Sequence, residues 1–179
     1  MTKTCKQCGS EFQPQRPLAY ICSPICASRY VKAAKKEEAE RTKARKAAIK
    51  RIPDLIKEAQ VVFNAYIRQR DHLRPCICCG RTETMVEGHR SHGWDAGHYR
   101  STGSASHLRF NEDNVHRQLV VCNQYGAGRA VDYRIGLIAR IGLERVEALE
   151  ADNNVHKWTR EELIEIKEKY RAKLKELEK

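Results

Sequence analysis

The residues best suited to chemistry lie between Cys76 and Asn123. Cysteines lie near both ends of this block, and we select from it an aspartate, a histidine and two asparagines as further candidates for chemistry. In chain order these are Cys76, Cys78, Cys79, Asp95, His98, Asn114, Cys122 and Asn123. Thiolates bind Zn²⁺, imidazole titrates near neutral pH, and carboxylate or amide oxygens suit Mg²⁺ or Mn²⁺. The block therefore combines ligands for two kinds of metal with a general base.

This set of groups suits hydrolysis of a phosphodiester, which needs a water nucleophile, a base and a cation. We predict that His98 is the base and that Asp95 and Asn123 hold a catalytic Mg²⁺ or Mn²⁺ ion. Asn114 is expected to brace the loop that carries His98. Thiolates followed by an Asp/His segment, an asparagine and a Cys-Asn pair are the layout of an HNH (ββα-metal) nuclease site.

The cysteines of this block predict a zinc site, with Cys76, Cys79 and Cys122 as ligands. The usual fourth ligand, three positions before Cys122, is replaced by Leu119, which cannot bind a metal. Either Cys78 or a histidine completes the shell, or the site is weak or empty.

The other histidines have open roles. His107 and His116 are each candidates for a metal ligand, a phosphate contact or a structural residue, and His116 is preferred because it shares a segment with the two asparagines. His89 and His92 lie in a polar, glycine-containing loop and are expected to be incidental.

A second set of cysteines near the N-terminus predicts a structural zinc finger of the treble-clef or ribbon kind, spanning 1–30. Its ligands are Cys5, Cys8, Cys22 and Cys26. Two short-range pairs joined by a loop are the usual frame of a four-thiolate zinc site. Ser23-Pro24 predicts a helix start at the second pair. With so few apolar residues nearby, zinc must supply the folding free energy.

Basic residues predict contact with a polyanion. The net charge is +11 and the sequence pI is about 9.4, which favours nucleic acid as partner. Residues 31–52 form a basic helical linker without an apolar stripe, either a solvated spacer or an arm on the phosphate backbone. Arg100 and Arg109 lie near enough to His98 in sequence to contact phosphate. The predicted contacts on the linker are Lys43, Arg45, Lys46 and Lys50.

Helices are predicted on both sides of the central block. An amphipathic pattern indicates a packing helix from Pro53 to Asp71, and two short helices should be separated by Gly142. A Thr159-x-x-Glu162 capping box opens a last helix. The apolar stripe of that helix packs either on the domain or on a second copy of the chain, so a homodimer is one partner that the sequence allows.

Length and composition restrict the compartment. No apolar run reaches the length of a membrane-spanning helix, and the first residues lack a signal-peptide segment. We therefore expect a cytoplasmic protein without a membrane partner, in which the cysteines bind metal before they form disulfides.

Many segments resemble the NinG (Rap, recombination protein) family of lambdoid phages. The resemblance rests on the cysteine pairs 5–8 and 22–26, on 63–68, 75–80, 95–101, 107–116 and 133–138, and on 141–152. It implies a structure-specific endonuclease that acts on branched DNA, D-loops and Holliday junctions, in phage homologous recombination, in the host cytoplasm. Two positions depart from the family: Leu119 replaces a cysteine, and Gly128-Arg129 stands in place of a more polar loop.

Together these observations predict an α+β protein: a zinc finger (1–30), a basic helical linker (31–52), an HNH-like nuclease domain (53–141) and C-terminal helices (142–179). It would carry one or two structural zinc ions and a catalytic Mg²⁺ or Mn²⁺. The alternative is a non-catalytic, zinc-containing accessory protein that binds branched or single-stranded DNA. A zinc-finger regulator that reads duplex sequence is disfavoured, because no helix is patterned with base-reading residues.

Overall fold

A computed structural model describes residues 1–83 and 93–179 of the chain. His89 and His92 lie outside these described residues. The chain divides into two compact units, Met1–Lys50 and Arg51–Lys179. Long helices are combined with two small antiparallel sheets, which confirms the α+β prediction. In the part of the chain that the structure describes, no helix is both long and apolar enough to span a bilayer.

The first unit contains a short sheet and one long helix. Strands β1 (Lys3–Thr4) and β2 (Glu11–Phe12) pair antiparallel, and helix α1 spans Pro24–Ala48. The hydroxyl of Ser23 accepts a hydrogen bond of 3.2 Å from the backbone N–H of Cys26, as expected of an N-cap. The helix thus begins inside the second cysteine pair and continues without interruption through the basic segment.

The second unit is mainly helical, and its described part has one sheet. Its elements are α2 (Ile52–Arg70), β3 (Trp94–His98), β4 (Val115–Leu119), α3 (Ala130–Ile141), α4 (Leu143–Ala151) and α5 (Arg160–Leu177). A π-helical turn, Val121–Tyr125, follows β4. The predicted break at Gly142 and the capping box at Thr159 are confirmed.

The core of this unit forms where α2 and α5 pack on the sheet. Phe63 of α2 and Tyr170 of α5 are buried with Ala96 of β3 and Val115 of β4. The ring centres of Phe63 and Tyr170 are 4.7 Å apart in an edge-to-face arrangement, which is favourable for aromatic pairs. Because Leu163 and Tyr170 are buried in this core, the apolar stripe of α5 packs within the chain.

The strands β3 and β4 hold the central block in register. They pair antiparallel, with Trp94 opposite Leu119 and His98 opposite Val115. A Cβ atom on Gly97 would lie 2.0 Å from Oε1 and 3.0 Å from Cβ of Gln118, so any larger residue here would displace the Gln118 side chain. Close packing at Gly97 fixes the backbone immediately before His98.

Candidate functional site

The first cysteine cluster gathers four sulfur atoms in the first unit. The Sγ atoms of Cys5, Cys8, Cys22 and Cys26 all lie within 4.8 Å of one another. Tetrahedral zinc with bonds of about 2.3 Å places its sulfurs roughly 3.8 Å apart, and Cys8 and Cys22 are 3.6 Å apart. Burial raises the pKa of the Cys5 thiol, but backbone N–H donors lower it to about 6. The arrangement fits a structural zinc ion.

The second cluster also has four sulfurs, and Cys78 is one of them. The Sγ atoms of Cys76, Cys78, Cys79 and Cys122 lie within 4.8 Å of one another. The cluster therefore could bind zinc without a ligand at position 119. Leu119 is buried against it and donates its backbone N–H to Sγ of Cys76 over 3.2 Å. Of the candidates for the fourth ligand, Cys78 is the one that the structure brings to the other three.

His98 lies at the end of β3, and its ring interacts with the backbone of Arg109 and of Ala96. Its Nε2 atom is 3.1 Å from the carbonyl oxygen of Arg109. Because a carbonyl only accepts, Nε2 carries the proton in the neutral ring, and Nδ1 keeps its lone pair. Burial lowers the pKa of His98, and the backbone contacts of the ring with Arg109 and Ala96 offset only part of this effect. The lowered pKa favours the neutral imidazole at pH 7, and in the tautomer with Nε2 protonated the basic nitrogen is Nδ1.

Asp95 and Asn123 contact each other beside a cleft. The amide Nδ2 of Asn123 donates to Oδ2 of Asp95 over 2.8 Å, and Gln124 donates to the same oxygen over 3.0 Å. Asn123 and His98 both line a cleft of about 440 Å³. Asp95 does not line it, since it lies three positions from His98 on the strand and points to the opposite face.

Asp95, Asn123 and His98 therefore do not meet at one point: Asn123 contacts Asp95 on one side and lines the cleft of His98 on the other. Outside the two cysteine clusters, residues 1–83 and 93–179 bring together no further group of three or more Cys, His, Asp or Glu ligand atoms. A divalent ion here would have Asp95 as its single carboxylate, with Asn123 and water as further ligands.

Asn114 is fully buried and holds the loop that follows His98. Its Oδ1 accepts from the backbone N–H of Arg100 over 2.8 Å, and its Nδ2 donates to the carbonyls of Arg100 and Leu108 over 3.0 and 3.2 Å. The same loop supplies the Arg109 carbonyl to His98. Asn114 is thus a positioning residue for the imidazole.

Tyr133 anchors the strand on the other side, and sequence reasoning did not assign it a role. Its buried hydroxyl accepts from the backbone N–H of His116 over 3.0 Å and donates to the carbonyl of Gly97 over 2.7 Å. Helix α3 is therefore attached to β3 at the residue before His98. An aromatic residue on an amphipathic helix carries no signal in sequence that would distinguish it from ordinary core.

The two arginines predicted to contact phosphate are committed to the chain itself. The guanidinium of Arg100 donates to the carbonyls of Leu149 (2.9 Å) and Asp152 at the end of α4, and to Asn153 over 3.0 Å. Arg109 is partly buried and donates to Gln60 over 3.3 Å. Arg100 is therefore assigned a structural role, and Arg109 acts on His98 through its carbonyl, because their side chains face the protein.

The open roles of His107 and His116 resolve as structural. His107 Nε2 lies 3.1 Å from Asp152. His116 is buried, its Nδ1 accepts from Arg70 over 3.0 Å, and its Nε2 donates to the carbonyl of Asp113 over 3.1 Å. Neither nitrogen of His116 is available to a ligand.

The predicted basic contacts of the first unit lie on the surface of α1 or just after it. Lys43, Arg45 and Lys46 are exposed on the helix, and Lys50 follows its end. The helix therefore presents a positive surface that could approach a polyanion without rearrangement of a core.

The fold and its cysteine clusters define an α+β protein with two sites of zinc-ligand geometry. The sequence profile described as "Bacteriophage Lambda NinG protein" matches residues 1–179, and the chain belongs to this NinG family. It is 42% identical to "Protein ninG" of Escherichia phage lambda and 41% identical to those of Salmonella phage P22 and Escherichia phage 933W. Each alignment covers 98% of this chain and 93% of the relative. No solved structure matches it significantly.

Proposed function

We propose that the chain is a metal-dependent, structure-specific endonuclease that cleaves branched DNA, including D-loops and Holliday junctions, in phage homologous recombination. The observation that carries this proposal is the state of His98. Its Nε2 is bound to a carbonyl, its pKa is lowered by burial, and it lines a cleft together with Asn123. A neutral, oriented imidazole beside an open cleft is the arrangement that a general base needs.

The local topology supports an HNH-like assignment. Two antiparallel strands, β3 and β4, are followed by the turn Val121–Tyr125. His98 ends the first strand, and Asn123 lies in the turn. This order of strand, strand and helical segment is compatible with the ββα frame expected from the sequence, and the second cysteine cluster joins the segment before β3 to the turn after β4.

The chemistry follows from the positions of these groups. His98 Nδ1 takes a proton from the water that attacks the scissile phosphate, and Asn114 and the Arg109 carbonyl keep the ring in its reactive orientation. Asp95 and Asn123 would hold Mg²⁺ or Mn²⁺, which neutralises charge that develops on the phosphate. Because His98 is already neutral at pH 7, no proton has to be removed from the base first.

DNA binding in this proposal is electrostatic. The net charge of +11 would attract DNA, and the exposed cations of α1 would contact its phosphate backbone. The affinity for DNA should therefore fall steeply as the salt concentration rises. Selection of branched over linear DNA would come from shape and from paired active sites rather than from base contacts.

Cleavage of a labelled four-way junction and a matched linear duplex tests the proposal. Wild type, His98→Ala and His156→Ala are compared with Mg²⁺ or Mn²⁺; His156 is a partly exposed histidine beside Glu162 and serves as the matched control. We expect metal-dependent cutting of the junction that is lost only in His98→Ala. Absence of cutting by the wild type with either metal would refute the enzymatic function.

One observation favours the alternative of a non-catalytic, zinc-containing protein that binds branched or single-stranded DNA. The carboxylate predicted to hold the catalytic ion, Asp95, does not line the cleft of His98 and points to the other face of β3. Tight junction binding that is unchanged in His98→Ala, without cleavage, would identify this accessory role.

A further inference from the structure

A second positively charged surface lies at the end of α2. Arg68, His72 and Arg117, named here the basic corner, line a groove of about 480 Å³ together with Trp94. Among the residues of 1–83 and 93–179 that line it, Glu178 is the single acidic one. None of these side chains was predicted from the sequence to contact a partner.

Within the described residues, the charge of this corner is not balanced by nearby carboxylates. The nearest buried carboxylate, Asp71, is already paired with both nitrogens of the Arg70 fork over 2.8 Å and lies 3.6 Å from Arg140. Within residues 1–83 and 93–179, Arg68 has no hydrogen-bond or ion-pair partner. The corner therefore carries excess positive charge at an open groove.

Arg117 is held in place before any ligand arrives. Its guanidinium lies 3.7 Å from the centre of the Trp94 ring, and its NH1 donates to the carbonyls of Asp71 and His72. These contacts leave the Nε and NH2 groups of its fork for an acceptor. A fixed guanidinium loses less entropy when it binds a phosphate than a mobile one does.

The groove and the cleft of His98 lie at the two ends of β3. Trp94 begins the strand and His98 ends it, so their Cα atoms are roughly 13 Å apart. This corresponds to about four nucleotides at ~3.4 Å each. The two sites therefore lie within the length of a short DNA segment.

We propose that the basic corner binds the phosphate backbone of the DNA strand that passes the cleft of His98. This inference rests on the DNA-binding part of the proposed function and not on its catalytic part. It gives the phosphate-contact role predicted for Arg100 and Arg109 to Arg68 and Arg117, whose side chains face a groove.

Binding of a labelled four-way junction by His98→Ala protein, with Mg²⁺ present and over a series of salt concentrations, tests this proposal. Adding Arg68→Glu should raise Kd about 10-fold and reduce the slope of log K against log salt by about one, because roughly one phosphate contact is lost. Lys157→Glu, which makes the same change at an exposed lysine outside the groove, is the matched control. Arg68→Lys should stay within about threefold of the parent, because the charge remains.

Equal Kd and salt slope for Arg68→Glu and Lys157→Glu would overturn the inference, as would a parent that does not bind the junction. Zinc content and circular dichroism confirm that each variant is folded, and Arg68 is suited to this because it has no partner to lose. The binding test does not require the protein to cut DNA, so it can be interpreted even if the nuclease proposal fails. If the wild type does not cleave DNA but the salt slope of binding still depends on Arg68, the proposed role of the basic corner stands.

Discussion

The two cysteine clusters are built on the same type of turn, but the residues that surround the turn differ. In each, a glycine with positive φ follows the last cysteine of the turn, with φ of +74° at Gly9 and +70° at Gly80. Each glycine also donates its N–H to the carbonyl of the first cysteine, over 2.9 Å to Cys5 and 3.0 Å to Cys76. Only glycine adopts this backbone conformation without strain. The same local chemistry therefore builds both half-sites.

The surroundings of the two turns are different. Among residues 1–50 whose burial the structure describes, only Cys5 and Cys26 are buried, so the first unit has no core apart from its ligands. The second turn packs on α3, where Ile77 is buried with Tyr133 and Leu137. Zinc should therefore be essential for the fold of the first unit and an addition to the fold of the second.

The largest expected effect is loss of zinc from the first unit. Cys26→Ser should unfold residues 3–30, because structural zinc in small domains contributes about 10–16 kcal/mol and no core replaces it. Hydrogen exchange should show the backbone amides of this region exposed while those of α2 and α5 stay protected. Protection retained at residues 3–30 in the variant would contradict the claim that the first unit needs zinc to fold.

A substitution behind the second turn should be the next most damaging. A Cβ atom on Gly136 of α3 would lie 1.8 Å from the backbone oxygen of Ile77. Gly136→Ala should therefore lower the free energy of unfolding of the second unit by about 3 kcal/mol, measured by urea denaturation. Gly103→Ala is the control, since its Cβ would meet nothing closer than 3.9 Å and should change stability little.

Removal of Cys78 separates metal binding from folding in the second unit. Cys78→Ser should reduce bound zinc from two ions per chain to one and leave the unit folded. At free zinc one hundred times the site's Kd, the lost stabilisation is about 2.7 kcal/mol.

Leu119 provides the matched rescue of this variant. Because Leu119 is buried against the same sulfurs, Leu119→Cys in the Cys78→Ser protein should restore the second zinc. Two zinc ions in Cys78→Ser alone would show that another residue completes the shell.

The smallest effect concerns pH and the polar network behind β4. Burial lowers the pKa of His116, and protonation would place a second charge beside Arg70. A lowered histidine pKa means that the unfolded chain takes up the proton first, so stability is complete above about pH 6.5 and decreases below it. When the pH falls from 7 to 5.5, we expect the free energy of unfolding of the second unit to decrease by about 1 kcal/mol.

His116→Asn tests whether His116 causes this pH dependence, because asparagine keeps an acceptor for Arg70 and does not titrate. Its stability should vary less with pH than that of the wild type over the same range, while the cysteine ligands are identical in both. Parallel pH curves would exclude His116 as the source.

Local features were predictable from sequence because their partners are nearby in the chain. The four ligands of the first cluster, the Ser23 cap and the Thr159–Glu162 capping box depend on spacings of a few residues. The role of Asn114 as a brace for the His98 loop also follows from a short separation.

The remaining site features depend on long-range contacts and could not be predicted in this way. Arg100 is about 50 positions from the α4 carbonyls that bind it, so its proximity to His98 in sequence was misleading. The choice of Cys78 over position 119 depends on how β4 lies beside the turn, and the Arg109 carbonyl at His98 depends on the path of the loop. Spacing identifies which side chains have chemistry, but not which way they face.

The most direct test of the central claim is single-turnover cleavage of a four-way junction by wild type and His98→Ala at pH 7, each without and with added imidazole. If His98 is the general base, the variant should bind the junction and both zinc ions normally but cut it about 100- to 10,000-fold more slowly. Imidazole should then restore part of the rate. A variant that cuts as fast as the wild type would contradict the assignment of His98 as the base, whatever metal is present.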